Sequence, residues 1–155
     1  MTPTEKPWAI DCKCRWCGEA FIRMEIDHAM AWVCPTEACR ERQLAWKRVD
    51  IAGKLFYLPM PVQVELHEAV KSQQYGAICI GGERGSSKSI ALRNVIYNAC
   101  EEFPEFSVLM FRKELGELEL NQWRFFEREA PRIGADWSAR KITFPKTGAE
   151  IRPAH

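Results

Sequence analysis

The chain has 155 residues, a net charge of +1 and seven cysteines. That length fits one ordinary domain, or a small module with most of a larger one. The balanced charge gives no global pull toward nucleic acid or lipid, no apolar run is long enough to span a bilayer, and residues 1–10 lack the apolar core of a secretory signal. A cytoplasmic chain with no membrane partner is the expectation.

Five of the seven cysteines fall between residues 12 and 39. Cys14 and Cys17 are separated by two residues, Cys34 and Cys39 by four, and both spacings suit structural Zn²⁺. Clustering of this kind in a cytoplasmic chain points to metal ligation rather than disulfides. Between the pairs, Phe21–Ile26 alternates as a strand, Asp27-His28 reads as a turn, and Met30–Val33 reads as the return. The outline is a zinc ribbon over residues 1–46, two cysteine knuckles with a hairpin between. Cys12 is surplus and either replaces Cys14 as a ligand or stays a free thiol. His28, in the turn, reads as a surface histidine.

Residues 47–60 read as a linker, closed by Leu58-Pro59-Met60-Pro61. Pro61 suits the first turn of a helix, and Val62, Leu66, Ala69 and Val70 give that helix an apolar face through Ser72. Gln63 stands near its start, where an amide could read an adenine edge, although a solvent-facing glutamine is the simpler reading. His67 reads as a helix-surface residue.

The segment from 61 to 155 is organised around Ile78-Cys79-Ile80-Gly81-Gly82-Glu83-Arg84-Gly85-Ser86-Ser87-Lys88-Ser89. An apolar run, a glycine-rich turn and a helical pattern in that order fit the phosphate-binding loop G-x-x-x-x-G-K-[ST]. Gly82, Lys88 and Ser89 hold the expected offsets, while Ser87 stands where the second glycine belongs. Glycines let backbone N–H groups curl around a triphosphate, and the helix start behind adds donors. In this reading Lys88 neutralises the β- and γ-phosphates of ATP and the Ser89 hydroxyl holds Mg²⁺.

From Ser89 to Phe103 the pattern is helical, with Leu92, Ile96, Ala99 and Phe103 on one face. Phe106–Phe111 reads as a buried parallel strand, giving a βαβ unit with the run at 78–80. Arg112 leaves the carboxyl end of that strand, where ligands of open α/β sheets bind. Glu114–Glu129 is again helical, and residues 140–144 and 149–152 read as a hairpin about Pro145-Lys146-Thr147-Gly148. No apolar run ending in Asp-Glu follows, so the acid that such an ATPase needs for Mg²⁺ and water is expected elsewhere, the chain being read as a fragment of a longer protein, a truncated gene product or one whose remainder is supplied separately.

Taken in order, these motifs resemble the N-terminal ATPase part of phage terminase large subunits, the DNA-packaging motors. The resemblance covers Pro59 to His155. It rests on Pro61-Val62-Gln63, on Gly81–Ser89 with its arginine before the inner glycine, on Val108–Leu115, and on Lys146–Ile151. It implies an incomplete parallel α/β sheet of the P-loop NTPase type behind a small zinc ribbon. It also implies ATP and Mg²⁺ bound by Gly82, Glu83, Arg84, Gly85, Ser86, Ser87, Lys88 and Ser89, with Gln63 reading adenine. Lys88 and Arg84 would act on the triphosphate. The parent would be an ATPase with an endonuclease in its C-terminal part, packaging double-stranded viral DNA in the host cytoplasm. Its partners would be a portal, a small terminase subunit and further copies of itself in a ring, and the segment alone is expected to turn over slowly. The alternatives are a helicase-like P-loop fragment without a packaging role and a non-enzymatic zinc-ribbon adaptor.

Overall fold

The computed structural model describes residues 13–81, 88–111, 118, 122–138 and 140–154. The protein is a mixed α/β chain with three small sheets among the described residues. It divides into two compact units. The first holds the described residues up to Val49 together with Gly53–Cys79. The second holds Asp50–Ala52 and the described residues from Ile80 onward.

In the first unit, β1 (Ile22–Ile26) and β2 (Ala29–Val33) form the expected antiparallel hairpin. Its turn residues Asp27 and His28 take positive φ, and His28 is exposed, as the sequence suggested. Helix α1 (Glu37–Leu44) follows β2 directly. A second small antiparallel pair, β3 (Arg48–Val49) and β4 (Leu55–Tyr57), leads to helix α2 (Pro61–Ser72). The helix has the bounds that Pro61 and the apolar spacing predicted. Its side-chain partners lie in the first unit, whereas the sequence reading made it the opening helix of the second part.

His67 is a correction. It is buried on α2 at 2% exposure, its ring stacked on Trp46 with centroids 5.0 Å apart and its Nε2 3.2 Å from the Tyr57 hydroxyl. A neutral imidazole has one apolar face to offer an aromatic and one nitrogen to offer a hydroxyl, and both are used here.

The second unit contains α3 (Lys88–Glu102), β5 (Ser107–Met110), α4 (Arg124–Glu129) with a 3₁₀ turn (Ala130–Ile133), and strands β6 (Asp136–Ser138), β7 (Lys141–Thr143) and β8 (Glu150–Pro153). The four strands form one sheet in the order β5-β8-β7-β6. Only β5 and β8 are parallel. The β7–β8 hairpin matches the alternation read from the sequence. The unit's core joins Tyr97, Leu118, Trp123, Phe126, Ile142, Phe144 and Ile151, with Tyr97 edge-on to Phe126 at 5.5 Å.

Several expectations fail between residues 77 and 111. Residues 77–81 form no strand, and Ile78 and Ile80 stay 40% and 39% exposed. An apolar run becomes a strand only with a neighbour to take its N–H and C=O groups. Among the described residues β5 pairs with β8 alone, so the βαβ unit around α3 is not formed and the parallel pair arises elsewhere in the chain. On α3, Leu92 is 41% exposed whereas Arg93 and Tyr97 are buried. The reason is an ion pair: Arg93 Nε and Nη2 donate to the two carboxylate oxygens of Glu129, each at 2.9 Å, and the Tyr97 hydroxyl donates to Oε2 at 2.6 Å. The outer edge of β5 has no strand beside it among the described residues, and Leu109 and Phe111 near it are 57% and 70% exposed.

Candidate functional site

The first knuckle is built by a tight reversal. Gly18, at φ +81°, lets its N–H reach the Cys14 carbonyl at 2.7 Å, a conformation a Cβ would strain. The Cys14 N–H is in turn bonded to the Glu19 carbonyl at 2.8 Å. This closes residues 14–19 around two thiols. The second pair is not a knuckle, contrary to the ribbon outline. Cys34 directly follows β2, and Cys39 lies in the first turn of α1, because Pro35-Thr36-Glu37 starts a helix instead of a loop.

The four sulfurs of Cys14, Cys17, Cys34 and Cys39 all lie within 4.8 Å of one another. Cys17 Sγ and Cys34 Sγ are 3.4 Å apart. A tetrahedral Zn²⁺ with four thiolates would set its sulfurs about 3.8 Å apart, so the four cysteines are close enough to bind a metal such as zinc. Cys14 and Cys34 are buried, Cys39 is partly buried and Cys17 is exposed. Phe21, Trp16, Trp32 and Met60 pack around them. Cys12 lies outside the described residues.

The electrostatics call for a cation. The Thr36 hydroxyl, 3.3 Å from Cys17 Sγ, and the Glu19 backbone draw the Cys17 thiol down to about 6. Burial pushes Cys39 up to about 12, helped by its hydrogen bond to Cys17 and by the charges of the other thiols, and burial likewise raises Cys34. One thiolate therefore forms readily, and further ones are opposed by burial and by mutual repulsion. A divalent ion removes both penalties.

Residues outside the cysteine pattern hold this arrangement. The fully buried Gln43 of α1 accepts from the Cys34 N–H at 3.3 Å and donates to the Trp32 carbonyl at 3.1 Å, tying the helix to the end of β2. Thr36 is the N-cap of α1, yet its hydroxyl makes no cap bond and goes to Cys17. Helix α2 clasps the module with two acids one turn apart. Glu65 accepts from Trp16 Nε1 at 3.0 Å and pairs with Arg15 at 3.2 Å. Glu68 takes both arms of Arg42, at 2.8 and 2.5 Å, and the Arg42 guanidinium lies 4.2 Å over the Trp16 ring. No spacing rule could have singled out Gln43, Thr36 or the two glutamates. Their role is visible only once the hairpin folds back.

Of the nucleotide-site residues, Gly82, Glu83, Arg84, Gly85, Ser86 and Ser87 lie outside the described residues, as does Arg112. Lys88 and Ser89 are the first described residues of α3, which runs on to Glu102. Ser89 Oγ accepts a hydrogen bond from Gln122 Nε2 at 3.1 Å, a partner the sequence gave no reason to expect. Gln63 is 6% exposed, and its Oε1 accepts from the Met60 N–H at 2.8 Å, capping the start of α2. It belongs to the first unit, while Lys88 and Ser89 belong to the second.

No protein-family model, curated protein or solved structure matches the chain. No helix among the described residues is long and apolar enough to cross a membrane.

Proposed function

We propose that the protein is a nucleotide-binding segment of the terminase large subunit type, carried behind a Zn²⁺-stabilised cysteine module. In this reading it binds ATP and Mg²⁺ in the host cytoplasm and serves a motor that packages double-stranded viral DNA. The observation that carries the reading is a sequence string followed by a helix. The string Gly82-x₄-Ser87-Lys88-Ser89 is followed by a helix that is described from Lys88 to Glu102. A lysine and a hydroxyl on such a helix, just behind a glycine-rich sequence, are the groups a Mg²⁺-triphosphate needs. The zinc assignment is supported by the four convergent thiols.

The test is equilibrium titration of the full chain with ATP and Mg²⁺, wild type against Lys88→Ala. Saturable binding lost in the variant supports the reading. Equal and negligible binding in both favours a second reading, a zinc-module adaptor with no nucleotide chemistry. That alternative draws its support from residues 77–81, which form no strand ahead of the loop.

A further inference from the structure

We infer that Gln122 is a positioning residue for Mg²⁺: its side-chain amide holds the Ser89 hydroxyl in the orientation in which that oxygen ligates the cation of a bound nucleotide. The inference deepens the nucleotide reading and rests on it. A serine oxygen has two lone pairs and one proton. The Gln122 Nε2–H occupies one lone pair at 3.1 Å. The other lone pair is left for the metal, and the hydroxyl proton can point away from it. Without the amide the hydroxyl rotates freely, and ligation must first fix its torsion.

The contact is held in register by the packing behind it. Ser89, Arg93 and Tyr97 follow one another at four-residue steps along α3, on one stripe of the helix. The segment Gln122–Glu129 runs against that stripe. Glu129 takes both arms of Arg93 and the Tyr97 hydroxyl. The Arg93 guanidinium sits 4.6 Å from the centre of the Phe125 ring. Trp123, next to Gln122, is 3% exposed, and Phe126 is fully buried. These buried contacts place Gln122 beside Ser89, and the bond between them lies at the exposed end of that packing.

The experiment compares wild type with Gln122→Ala and Gln122→Met, the latter keeping bulk without the amide. Each full chain is titrated with ATP in buffer without added Mg²⁺, and with Mg²⁺ at fixed ATP. The expected result is a Mg²⁺ requirement raised about tenfold in both variants, the usual scale for removing a group that orients a metal ligand. ATP affinity without Mg²⁺ should stay within about twofold, and thermal unfolding should be unchanged. A Mg²⁺ dependence identical to wild type overturns the inference while leaving the nucleotide reading intact. Equal losses with and without Mg²⁺, together with a lowered unfolding temperature, overturn it in favour of a packing role. Absence of ATP binding by wild type removes the nucleotide reading and this inference with it.

Discussion

Arg93 and Glu129, 36 residues apart in sequence, meet in a two-armed ion pair with both distances at 2.9 Å. Their side chains are 6% and 12% exposed, so neither charge has water to fall back on. Burying a charge costs far more than the pair returns unless both partners are present. Glu129→Ala is therefore expected to destabilise the second unit by about 3–5 kcal/mol, since it strands the guanidinium and the Tyr97 hydroxyl together. The double change Arg93→Met with Glu129→Leu should recover most of that loss. Chemical denaturation of the three proteins checks this, and a double variant no better than the single would contradict it.

The cysteine module should carry about one zinc per chain. Cys34→Ser should lose the metal and unfold the first unit, with little effect on α3 and the four-stranded sheet. Because Glu65 and Glu68 tie α2 to Trp16, Arg15 and Arg42, the amides of α2 should exchange faster in the same variant. Metal analysis with hydrogen exchange would read both, and protection of α2 undiminished by metal loss would show that the clasp is incidental.

Gln43→Leu keeps the bulk of the side chain and removes the bond to the Cys34 N–H. Groups that orient a metal ligand typically contribute ten- to a hundredfold in metal affinity. Competition with a chromogenic zinc chelator is expected to show a loss in that range. An unchanged zinc affinity would mean that the hairpin and α1 hold Cys34 without the amide.

His67 makes the first unit acid-sensitive. Burial, with Arg48 as a smaller cause, lowers its proton affinity from 6.5 to about 4. Above pH 6.5 the ring is neutral in both folded and unfolded chains. Between 6.5 and 4 the unfolded chain takes a proton that the folded one refuses, so stability falls as pH falls and the loss is complete below about 4. Its size is about 2–3 kcal/mol, allowing for water near the ring. His67→Gln keeps an acceptor for Tyr57 but does not titrate. The difference in unfolding free energy between wild type and variant should shrink by that amount between pH 7 and pH 4, and a difference independent of pH would assign the acid response to other groups.

Much of this fold was readable where the signal is local. Pro61 with an apolar face beyond it marked α2, and alternation about Pro145-Lys146-Thr147-Gly148 marked the β7–β8 hairpin. The two cysteine spacings brought together the four thiols that converge. What was not readable depends on partners distant in sequence. Ile78-Cys79-Ile80 has the composition of a strand, but composition supplies no neighbour to hydrogen-bond with. Arg93 and His67 look like surface residues until Glu129, Trp46 and Tyr57 arrive to neutralise, stack on and cap them. Gln122 carried no signal at all, since an amide's value is set by what it happens to face. The residues at 82–87, on which the nucleotide reading leans most, lie outside the described residues.

The outer side of β5 carries a further consequence. Its row of amide and carbonyl groups is open among the described residues, flanked by the bare side chains of Leu109 and Phe111. Such a margin is adhesive: any extended polypeptide laid along it gains a ladder of hydrogen bonds and shelters two large apolar groups at one stroke. In concentrated solution the readiest source of such a polypeptide is another copy of the same chain, added along the described edge of this one strand.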